Sequence, residues 1–224
     1  MTIATDLFMR LLVPLRRARN NPETIWCHAT KGRDRRSWEF MQRIETSLPG
    51  VIELRPLVHG DTRGFFLETY HQSKLANLGI ADTFVQDNHS RSTKGTLRGL
   101  HYQLNHPQAK LCRVIEGEAL DIAVDIRVGS PHFGKWTSVL LSAARHNQVY
   151  VPQGFAHGFL ALTDNVQFLY KCNDYYKPAD EHGVFWNDPA LQISWGVSNP
   201  VLSEKDATNP RLAEVNKEFL PRYL

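Results

Sequence analysis

The run L-R-G-L-H-Y-Q, from Leu97 to Gln103, places a guanidinium, an imidazole, a phenol and an amide among small and apolar neighbours. Alternate side chains of a β-strand lie on the same face, so His101 is expected to share a face with Leu97 and Gln103. Arg98 is expected on the opposite face. Imidazoles exchange protons near neutral pH, with an unperturbed pKa of about 6.5, so a histidine held in a pocket by this strand is a candidate proton acceptor. The alternative is a core histidine that is hydrogen-bonded to a backbone carbonyl.

Three further segments carry hydrogen-bonding side chains at turns or strand ends. They are G-D-T-R-G-F-F-L-E from Gly60, F-V-Q-D-N-H-S from Phe84 and V-P-Q-G-F-A-H-G-F from Val151. The last contains P-x-G-x-x-H, ending at His157, which matches the second half of a cupin metal-binding motif. The first half of that motif needs two histidines one residue apart, but the matching place reads His101-Tyr102-Gln103. One ligand is missing, so the pattern predicts a cupin-like fold without a bound transition metal.

Without a metal, such a site works through proton transfer and fixed charges. Lys110 is a cation that could stabilise a developing oxyanion. Tyr170 is a phenol, and phenols stay protonated at neutral pH because they ionise near pH ~10. Three more cations are candidates for binding phosphate, for which guanidinium groups suit a bidentate contact: Arg63, Arg98 and Lys205. The structural alternatives are a solvated charge for Lys110 and a core aromatic residue for Tyr170.

The composition is that of a globular protein with one sizeable domain. The chain has 224 residues, of which 42% are hydrophobic, and no run approaches the roughly 20 apolar residues of a membrane helix. The three cysteines are scattered, which indicates a reducing compartment, so we expect a cytoplasmic protein. The net charge is +3, and residues 1–40 hold eight Lys/Arg against four Asp/Glu. The remainder is nearly neutral, so neither a nucleic-acid nor a membrane partner is expected.

Residues 1–40 differ from the rest of the chain. Their apolar run, Leu7 to Leu15, is interrupted by an arginine and a proline and is followed by a basic cluster, which is the reverse of a secretory signal. An Arg-rich mitochondrial presequence is an alternative, although the segment also holds four acidic residues. Met41 begins a segment typical of a domain start. We therefore expect residues 1–40 to be a loosely ordered or non-native extension and residues 41–224 to form one jelly-roll domain.

From residue 44 onward, about ten short segments are rich in β-branched or aromatic residues and are bounded by turn-forming residues. The predicted strands are Val51–Pro56, Gly64–Tyr70, Phe84–Asn88, Gly95–Gln103, Lys110–Glu116, Ala119–Arg127, Trp136–Ser142, Asn147–Val151, Ala156–Leu162 and Gln167–Asn173. Ser73–Leu78 is predicted as a short helix with Ser73 as its N-cap, and the tail from Asp206 to Tyr223 has weak helical character. The pattern predicts an all-β sandwich, jelly roll or small barrel.

Residues 41–224 resemble the dTDP-4-dehydrorhamnose 3,5-epimerase family. The matching runs, in chain order, are D-T-R-G-F-F-L-E, F-V-Q-D-N-H-S-R-S, L-R-G-L-H-Y-Q, D-I-A-V-D-I-R-V-G-S-P-H-F-G-K-W, V-P-Q-G-F-A-H-G-F, W-N-D-P and L-S-E-K-D. The resemblance implies an all-β, cupin-type double-stranded β-helix (jelly roll) with a few short peripheral helices. It also implies a homodimer, with neither a metal nor an organic cofactor, that acts on a dTDP-keto-sugar in dTDP-L-rhamnose synthesis.

The resemblance also implies roles for individual residues. His101 would be the proton acceptor, with Asp206 as its carboxylate partner, and Tyr170 would be the proton donor. Lys110 would lie beside the keto oxygen of the sugar. The residues that would bind the nucleotide sugar are Arg63, Glu68, Gln86, Asn88, Arg98, His157, Tyr176, Glu181 and Lys205. On residue type alone, Asp206 is only a charge near the start of a C-terminal helix.

The implied reaction is epimerisation at C3 and C5 of dTDP-4-dehydro-6-deoxy-D-glucose through an enolate, giving dTDP-4-dehydro-L-rhamnose. Three alternatives stay open. They are an enzyme of the same fold that inverts only C3 or moves the ketone, a metal-dependent cupin oxygenase, and a sugar-binding jelly roll without catalytic activity. The last has no need of His101, Asp206 and Tyr170 together. Tyr176 is the position expected to bear on how far the reaction proceeds.

Overall fold

The computed structural model of the chain describes residues 41–223, which form two antiparallel sheets, a separate hairpin and a few short helices. The strands of these residues are β1 (Met41–Glu45), β2 (Ile52–Pro56), β3 (Val58–Asp61), β4 (Gly64–Leu67), β5 (Gln86–Ser92), β6 (Leu97–Gln103), β7 (Lys110–Glu116), β8 (Glu118–Asp125), β9 (Trp136–Ser142), β10 (Gln148–Val151), β11 (Phe155–Ala161), β12 (Val166–Cys172) and β13 (Glu181–Gly183). The helices are α1 (Gln72–Asn77), α2 (Glu204–Thr208) and three 3₁₀ turns at Pro178–Asp180, Leu212–Glu214 and Lys217–Phe219. None of the helices in this part of the chain is long and apolar enough to cross a bilayer. The predicted extension, residues 1–40, lies outside the described residues.

The two sheets face each other across a shared core. One has the strand order β1-β2-β10-β7-β12-β5 and the other β13-β6-β11-β8-β9, while β3 pairs only with β4. Buried side chains from both sheets meet between them, among them Val114 and Phe168 from the first sheet and Val139 and Phe159 from the second. Most neighbouring strands are not consecutive in sequence, as in a jelly roll. The predicted cupin-type, all-β fold is confirmed.

Each sheet also buries its outer face. Ile122 and Val124 of β8 pack against Trp186 in the C-terminal part of the chain. On the other sheet, Leu54 packs in the same cluster as Leu75 of α1. The side chains on both faces of β8 are therefore largely buried. The face turned to the core between the sheets carries alanines and aspartates, whereas a strand with one solvent-exposed face would carry exposed polar residues there.

Each of the ten predicted strands has a counterpart in the structure. The bounds differ most for β5, which begins at Gln86 and extends to Ser92, because its polar residues pair along β12. The three strands that were not predicted, β1, β3 and β13, have only three to five residues each. Short strands of this kind leave little periodic signal in the sequence.

The predicted N-cap of the first helix is wrong. The helix begins at Gln72 and its N-cap is His71, which makes no side-chain capping bond. Ser73 lies inside the first turn, where its Oγ is 3.1 Å from His71 Nδ1. The weakly helical tail is present as α2 and two 3₁₀ turns.

The alternation predicted for β6 is wrong in its first half. His101 pairs with His157 of β11, but Arg98 pairs with Phe159, so three residue steps on β6 match two on β11. An extra residue of this kind is a β-bulge, and it reverses the faces on one side of it. Arg98 therefore lines the same cavity as His101. Leu97 packs instead into the outer core behind this sheet.

Two glycines allow β6 and β11 to approach closely at the bulge. A Cβ added to Gly99 would lie 2.6 Å from the Cα of Gly158, and a Cβ added to Gly158 would lie 2.6 Å from the carbonyl oxygen of Arg98. Both obstacles are backbone atoms, which cannot rotate away. Gly99 also has a φ of +121°, which residues with a side chain rarely adopt. The local geometry thus requires glycine at both positions.

We expect Gly158→Ala to lower the free energy of unfolding by about 1–3 kcal/mol, because the new methyl group must push β6 away from β11. Urea denaturation measures this change. Gly60→Ala is a matched control, since a Cβ there meets its nearest atom at 3.8 Å. A Gly158→Ala protein as stable as the wild type would show that the close approach is not needed for folding.

Candidate active site

A cavity of about 580 Å³ opens between the two sheets. Eleven of the thirteen residues predicted for the site line it: Gln86, Asn88, Arg98, His101, Lys110, His157, Tyr170, Tyr176, Glu181, Lys205 and Asp206. They come from both sheets and from α2, so the fold brings together residues that are far apart in the sequence.

A short hydrogen bond joins His101 to Asp206 in the cavity wall. His101 Nε2 lies 2.5 Å from Asp206 Oδ1, across 105 positions in the sequence. Asp206 is buried in the first turn of α2, and Ser203 caps that helix by accepting a hydrogen bond from the Asp206 backbone N–H. Burial alone would raise the pKa of Asp206, but the hydrogen bond from His101 and the donors around it lower the pKa overall. Asp206 is therefore an ionised acceptor that fixes the orientation of the imidazole.

Glu181 lies on the other side of the imidazole. Its Oε1 is 3.9 Å from His101 Nδ1, and its Oε2 accepts a hydrogen bond of 2.8 Å from the Tyr176 hydroxyl. Lys205 Nζ donates to the same carboxylate. Burial would raise the pKa of Glu181, but the contacts with Lys205, Tyr176 and His101 lower it overall. The cavity wall beside His101 therefore carries a fixed negative charge.

Tyr170 belongs to β12 and so reaches the cavity from the sheet opposite to that of His101. Its ring lies 6.1 Å from that of Phe168, in the core between the sheets. Burial raises the pKa of Tyr170 to about 12, with smaller contributions from nearby groups. Its hydroxyl is therefore protonated at neutral pH and can donate a proton into the cavity.

The remaining wall is polar and partly cationic. Gln86 Nε2 donates to Asn88 Oδ1 at 3.0 Å, and Gln86 Oε1 accepts from the Tyr176 backbone N–H. Arg98 Nε donates to Ser92 Oγ at 3.1 Å. Lys110, at the start of β7, completes this wall. Amides and cations in one cavity suit a polar, anionic ligand.

Two predicted site residues, Arg63 and Glu68, do not line the cavity. Arg63 follows β3 at the tip of the hairpin with β4, where its side chain is 88% exposed and pairs with Asp61. Glu68 pairs with Lys74 of α1 at 2.5 Å. Within a single chain, the hairpin carries both residues away from the cavity. That these two residues contact the ligand stays a prediction.

The sequence analysis missed Asp121, which lies on the inward row of β8. Both of its carboxylate oxygens lie within 3.0 Å of His157 Nε2, and the carboxylate is buried. A signal was present in the sequence, because Asp121 alternates with Ala119 and Ala123 while the other row of the strand is strongly apolar. A carboxylate in such a row needs a partner inside the protein.

Within residues 41–223, one group of three side chains could hold a metal ion. Cys112, Asp121 and His157 are all buried, and their ligand atoms lie within 4.8 Å of one another. The geometry does not favour a metal, because His157 Nε2 already bonds to Asp121. Burial also raises the pKa of Cys112 well above its usual range, so the thiol keeps its proton. His101 and His157 are cross-strand neighbours, but each ring directs Nε2 to its own carboxylate.

The W-N-D-P run has a structural role. Asp188 accepts hydrogen bonds from the backbone N–H groups of Ala190 and Leu212, at 2.9 and 2.8 Å. It therefore holds the C-terminal segment against the outer face of the second sheet.

Comparison with known proteins agrees with this geometry. The sequence profile described as dTDP-4-dehydrorhamnose 3,5-epimerase matches residues 45–214. The dTDP-4-dehydrorhamnose 3,5-epimerase of Shigella flexneri is 48% identical over 178 residues, which cover 79% of this chain and 98% of that protein. A dTDP-6-deoxy-D-glucose-3,5-epimerase from Legionella pneumophila, solved with dTDP-4-keto-L-rhamnose, is similar in structure with a TM-score of 0.80 and 47% identity, covering 82% of this chain and 99% of that one.

A more distant structure has a related activity. A 3'-monoepimerase from Streptomyces bikiniensis, in complex with dTDP-quinovose, has a TM-score of 0.74 and 37% identity, covering 79% of this chain and 91% of that one. The profile match, the identity to the Shigella flexneri enzyme and a cavity that holds the predicted residues agree: the chain belongs to the dTDP-4-dehydrorhamnose 3,5-epimerase family.

Proposed function

We propose that this chain epimerises dTDP-4-dehydro-6-deoxy-D-glucose at C3 and C5, giving dTDP-4-dehydro-L-rhamnose. The observation that carries the proposal is the placement of His101 and Tyr170 on opposite sheets but in one cavity, with His101 oriented by Asp206. Inversion of a carbon next to a ketone needs a base on one face and an acid on the other. The reaction removes and returns a proton at the same carbon, so it is redox-neutral and its balance needs no cofactor.

The C4 ketone acidifies the hydrogens at C3 and C5. On our proposal, His101 removes one of them, and the electron pair of the C–H bond moves into an enolate whose negative charge rests on O4. Lys110, on the cavity wall, stabilises that charge. Loss of one such donor typically costs ~10²–10³ in kcat.

Tyr170 then returns a proton to the same carbon from the opposite face, which inverts the centre. Its raised pKa keeps the hydroxyl protonated until the enolate forms. Asp206 holds the imidazole and stabilises its protonated form after the first transfer. Repetition of both transfers at the second carbon completes the reaction.

Binding of the nucleotide sugar uses the polar wall. Arg98 and Lys205 supply positive charge for the diphosphate, and Gln86 and Asn88 supply amide donors and acceptors. His157, Tyr176 and Glu181 are assigned to the sugar on the same grounds.

Inversion at C3 alone is a second candidate, favoured by the similarity to the Streptomyces bikiniensis 3'-monoepimerase. The same base and acid serve either outcome. Tyr176 is 46% exposed at the cavity and bonded to Glu181, so it is the residue that we expect to bear on the difference.

We also propose that the chain works as a homodimer, in which the β3–β4 hairpin of one copy supplies Arg63 and Glu68 to the cavity of the other. Two features support this. Phe65 and Phe66 of the hairpin are 62% and 69% exposed, which is unusual for adjacent aromatic residues on a free surface. The side chain of Arg63 is 88% exposed at the tip of the hairpin.

The first prediction of this proposal concerns the reaction itself. Incubated with purified protein in deuterated water, the keto sugar should gain deuterium at both C3 and C5 and be inverted at each, as followed by proton NMR. Exchange and inversion at C3 alone would select the second candidate. Absence of exchange at both carbons would contradict either one.

The second prediction concerns the base. His101→Ala should abolish turnover while thymidine diphosphate still binds with wild-type affinity in calorimetry, because the imidazole acts only at the sugar. His89→Ala is a matched control, since His89 bonds to Gln167 and does not line the cavity. Activity of His101→Ala within a few-fold of wild type would exclude this histidine as the base.

The third prediction concerns the acid. Tyr170→Phe should still exchange substrate hydrogens with solvent, because His101 is intact, but it should lose inversion. Tyr175→Phe is the control, since its side chain is 58% exposed and lies outside the cavity lining. Unchanged inversion in Tyr170→Phe would contradict the acid role.

The fourth prediction tests the exchange of hairpins between subunits. Arg63→Ala and His101→Ala should each have little activity alone, but a mixture refolded together should recover roughly one quarter of the wild-type activity, because half of the dimers then contain one intact cavity. Light scattering establishes the dimer. No recovery in mixed dimers would show that Arg63 does not act across the interface.

A further inference from the structure

Asp121 is a buried carboxylate with no evident structural task. It is 2% exposed, and it lies among Cys112, Phe168 and the other apolar residues of the inner core. Within the described part of the chain, its only hydrogen-bond partner is His157 Nε2, at 3.0 and 2.9 Å from the two carboxylate oxygens. A buried ion pair contributes little net stability compared with an apolar pair of the same size. Folding alone therefore gives little reason for a carboxylate at this position.

The other buried aspartates show what a structural carboxylate does in this fold. Asp125 lies four residues after Asp121, on the same face of β8. It accepts hydrogen bonds from the Arg127 side chain, the Arg127 backbone N–H and the Ser130 hydroxyl, and so fixes a turn. Asp180 accepts the backbone N–H groups of Asn105 and His106, and so anchors a loop. Asp121 holds no backbone group. It resembles Asp206 in having a cavity histidine as its side-chain partner, although Asp206 also accepts a hydrogen bond from the Gly99 backbone N–H.

His157, the partner of Asp121, lies at the part of the cavity where negative charge is expected to develop. It is directly opposite His101 in the pairing of β11 with β6. It also shares with Lys110 the lining of both the main cavity and a small recess that continues from it, bordered by Gln108 and Gln103. An imidazole beside the lysine assigned to O4 is well placed to donate to the same oxygen.

We infer that Asp121 is a positioning residue for the reaction: it fixes the His157 ring so that this imidazole assists Lys110 in stabilising the enolate. The inference rests on the proposed function. Because Nε2–H donates to Asp121, the ring cannot turn over without breaking a buried hydrogen bond. Nδ1 is the nitrogen left for the substrate, since no described residue bonds to it.

The charge of Asp121 completes the argument. An imidazole that donates from both nitrogens is positively charged, and a buried positive charge needs a counter-ion. Asp121 is that counter-ion, so His157 can donate from Nδ1 to an anionic oxygen while the pair as a whole stays neutral. Cys112 cannot replace it: its Sγ is 3.9 Å from Nε2, and burial keeps the thiol protonated.

The test compares Asp121→Asn with the wild type. The amide has the same shape and still offers an oxygen to Nε2–H, but it carries no negative charge. We expect kcat to fall by about 10- to 100-fold, which is less than the effect of deleting a direct oxyanion donor. KM and the affinity for thymidine diphosphate should stay within about threefold, because the interaction strengthens only as the enolate forms.

Two control variants separate this role from a structural one. Asp125→Asn should lower the melting temperature but leave kcat per folded molecule unchanged, and Cys112→Ala should leave kcat nearly unchanged. If Asp121→Asn behaves like Asp125→Asn, losing stability with kcat intact, Asp121 is only structural. A kcat within about twofold of wild type would overturn the inference in the same way.

Proton–nitrogen NMR of the His157 ring supplies a readout that does not depend on turnover. In the wild type both ring nitrogens should carry a hydrogen, as donation from Nδ1 requires, and in Asp121→Asn the resonances of both ring nitrogens should shift. A wild type that inverts no carbon would contradict the proposed function, and the ring spectrum would still test the pairing with Asp121. A ring spectrum unchanged by Asp121→Asn would overturn the inference even in an active enzyme.

Discussion

The backbones of β6 and β11 meet at Gly99 and Gly158, and the arrangement of the cavity wall depends on that contact. Neither position has room for a Cβ, because the facing atoms belong to the opposite main chain. The close approach accommodates an extra residue in β6, which turns Arg98 to the side of His101. A regular strand would have pointed one of them into the outer core. Arg98 and His101, which we propose bind phosphate and act as the base, therefore line one cavity because two side chains are missing.

A second constraint is the separation of the proposed acid from the proposed base, which belong to opposite sheets of the sandwich. His101 and Tyr170 belong to different sheets, and the packed core between the sheets, with Phe168 beside Tyr170, holds that separation fixed. Rigid placement of two groups on either side of a planar intermediate supplies much of what such a reaction needs, because neither group has to be found by diffusion. The two buried carboxylates, Asp206 and Asp121, add orientation, since each binds one cavity histidine through Nε2.

Local patterns in the sequence predicted ten of the thirteen strands of the described residues, because period-two alternation and turn residues are local properties. The bulge in β6 was not predictable in this way, since it depends on the contact with β11, about 60 positions later in the chain. Asp206 is 105 positions from His101 and was found only through the resemblance to a family. Asp121 was missed because its partner, His157, lies 36 positions away and no residue near Asp121 in the sequence indicates the pairing. Arg63 and Glu68 lie outside the cavity of one chain, so neither the sequence nor a single copy could show what they bind.

Inverting two carbons with one acid and one base requires that both groups return to their starting protonation states between the two inversions. On the proposed mechanism, each inversion leaves a proton on His101 and removes one from Tyr170. Because burial raises the pKa of Tyr170 to about 12, its phenolate is a strong base, and its reprotonation at neutral pH is strongly favourable. The return of a proton to Tyr170 is therefore thermodynamically favourable. Because the proposed acid and base are the same for one inversion and for two, we expect the difference to depend on how long the singly inverted sugar stays bound, and so on cavity-wall residues such as Tyr176 and Glu181.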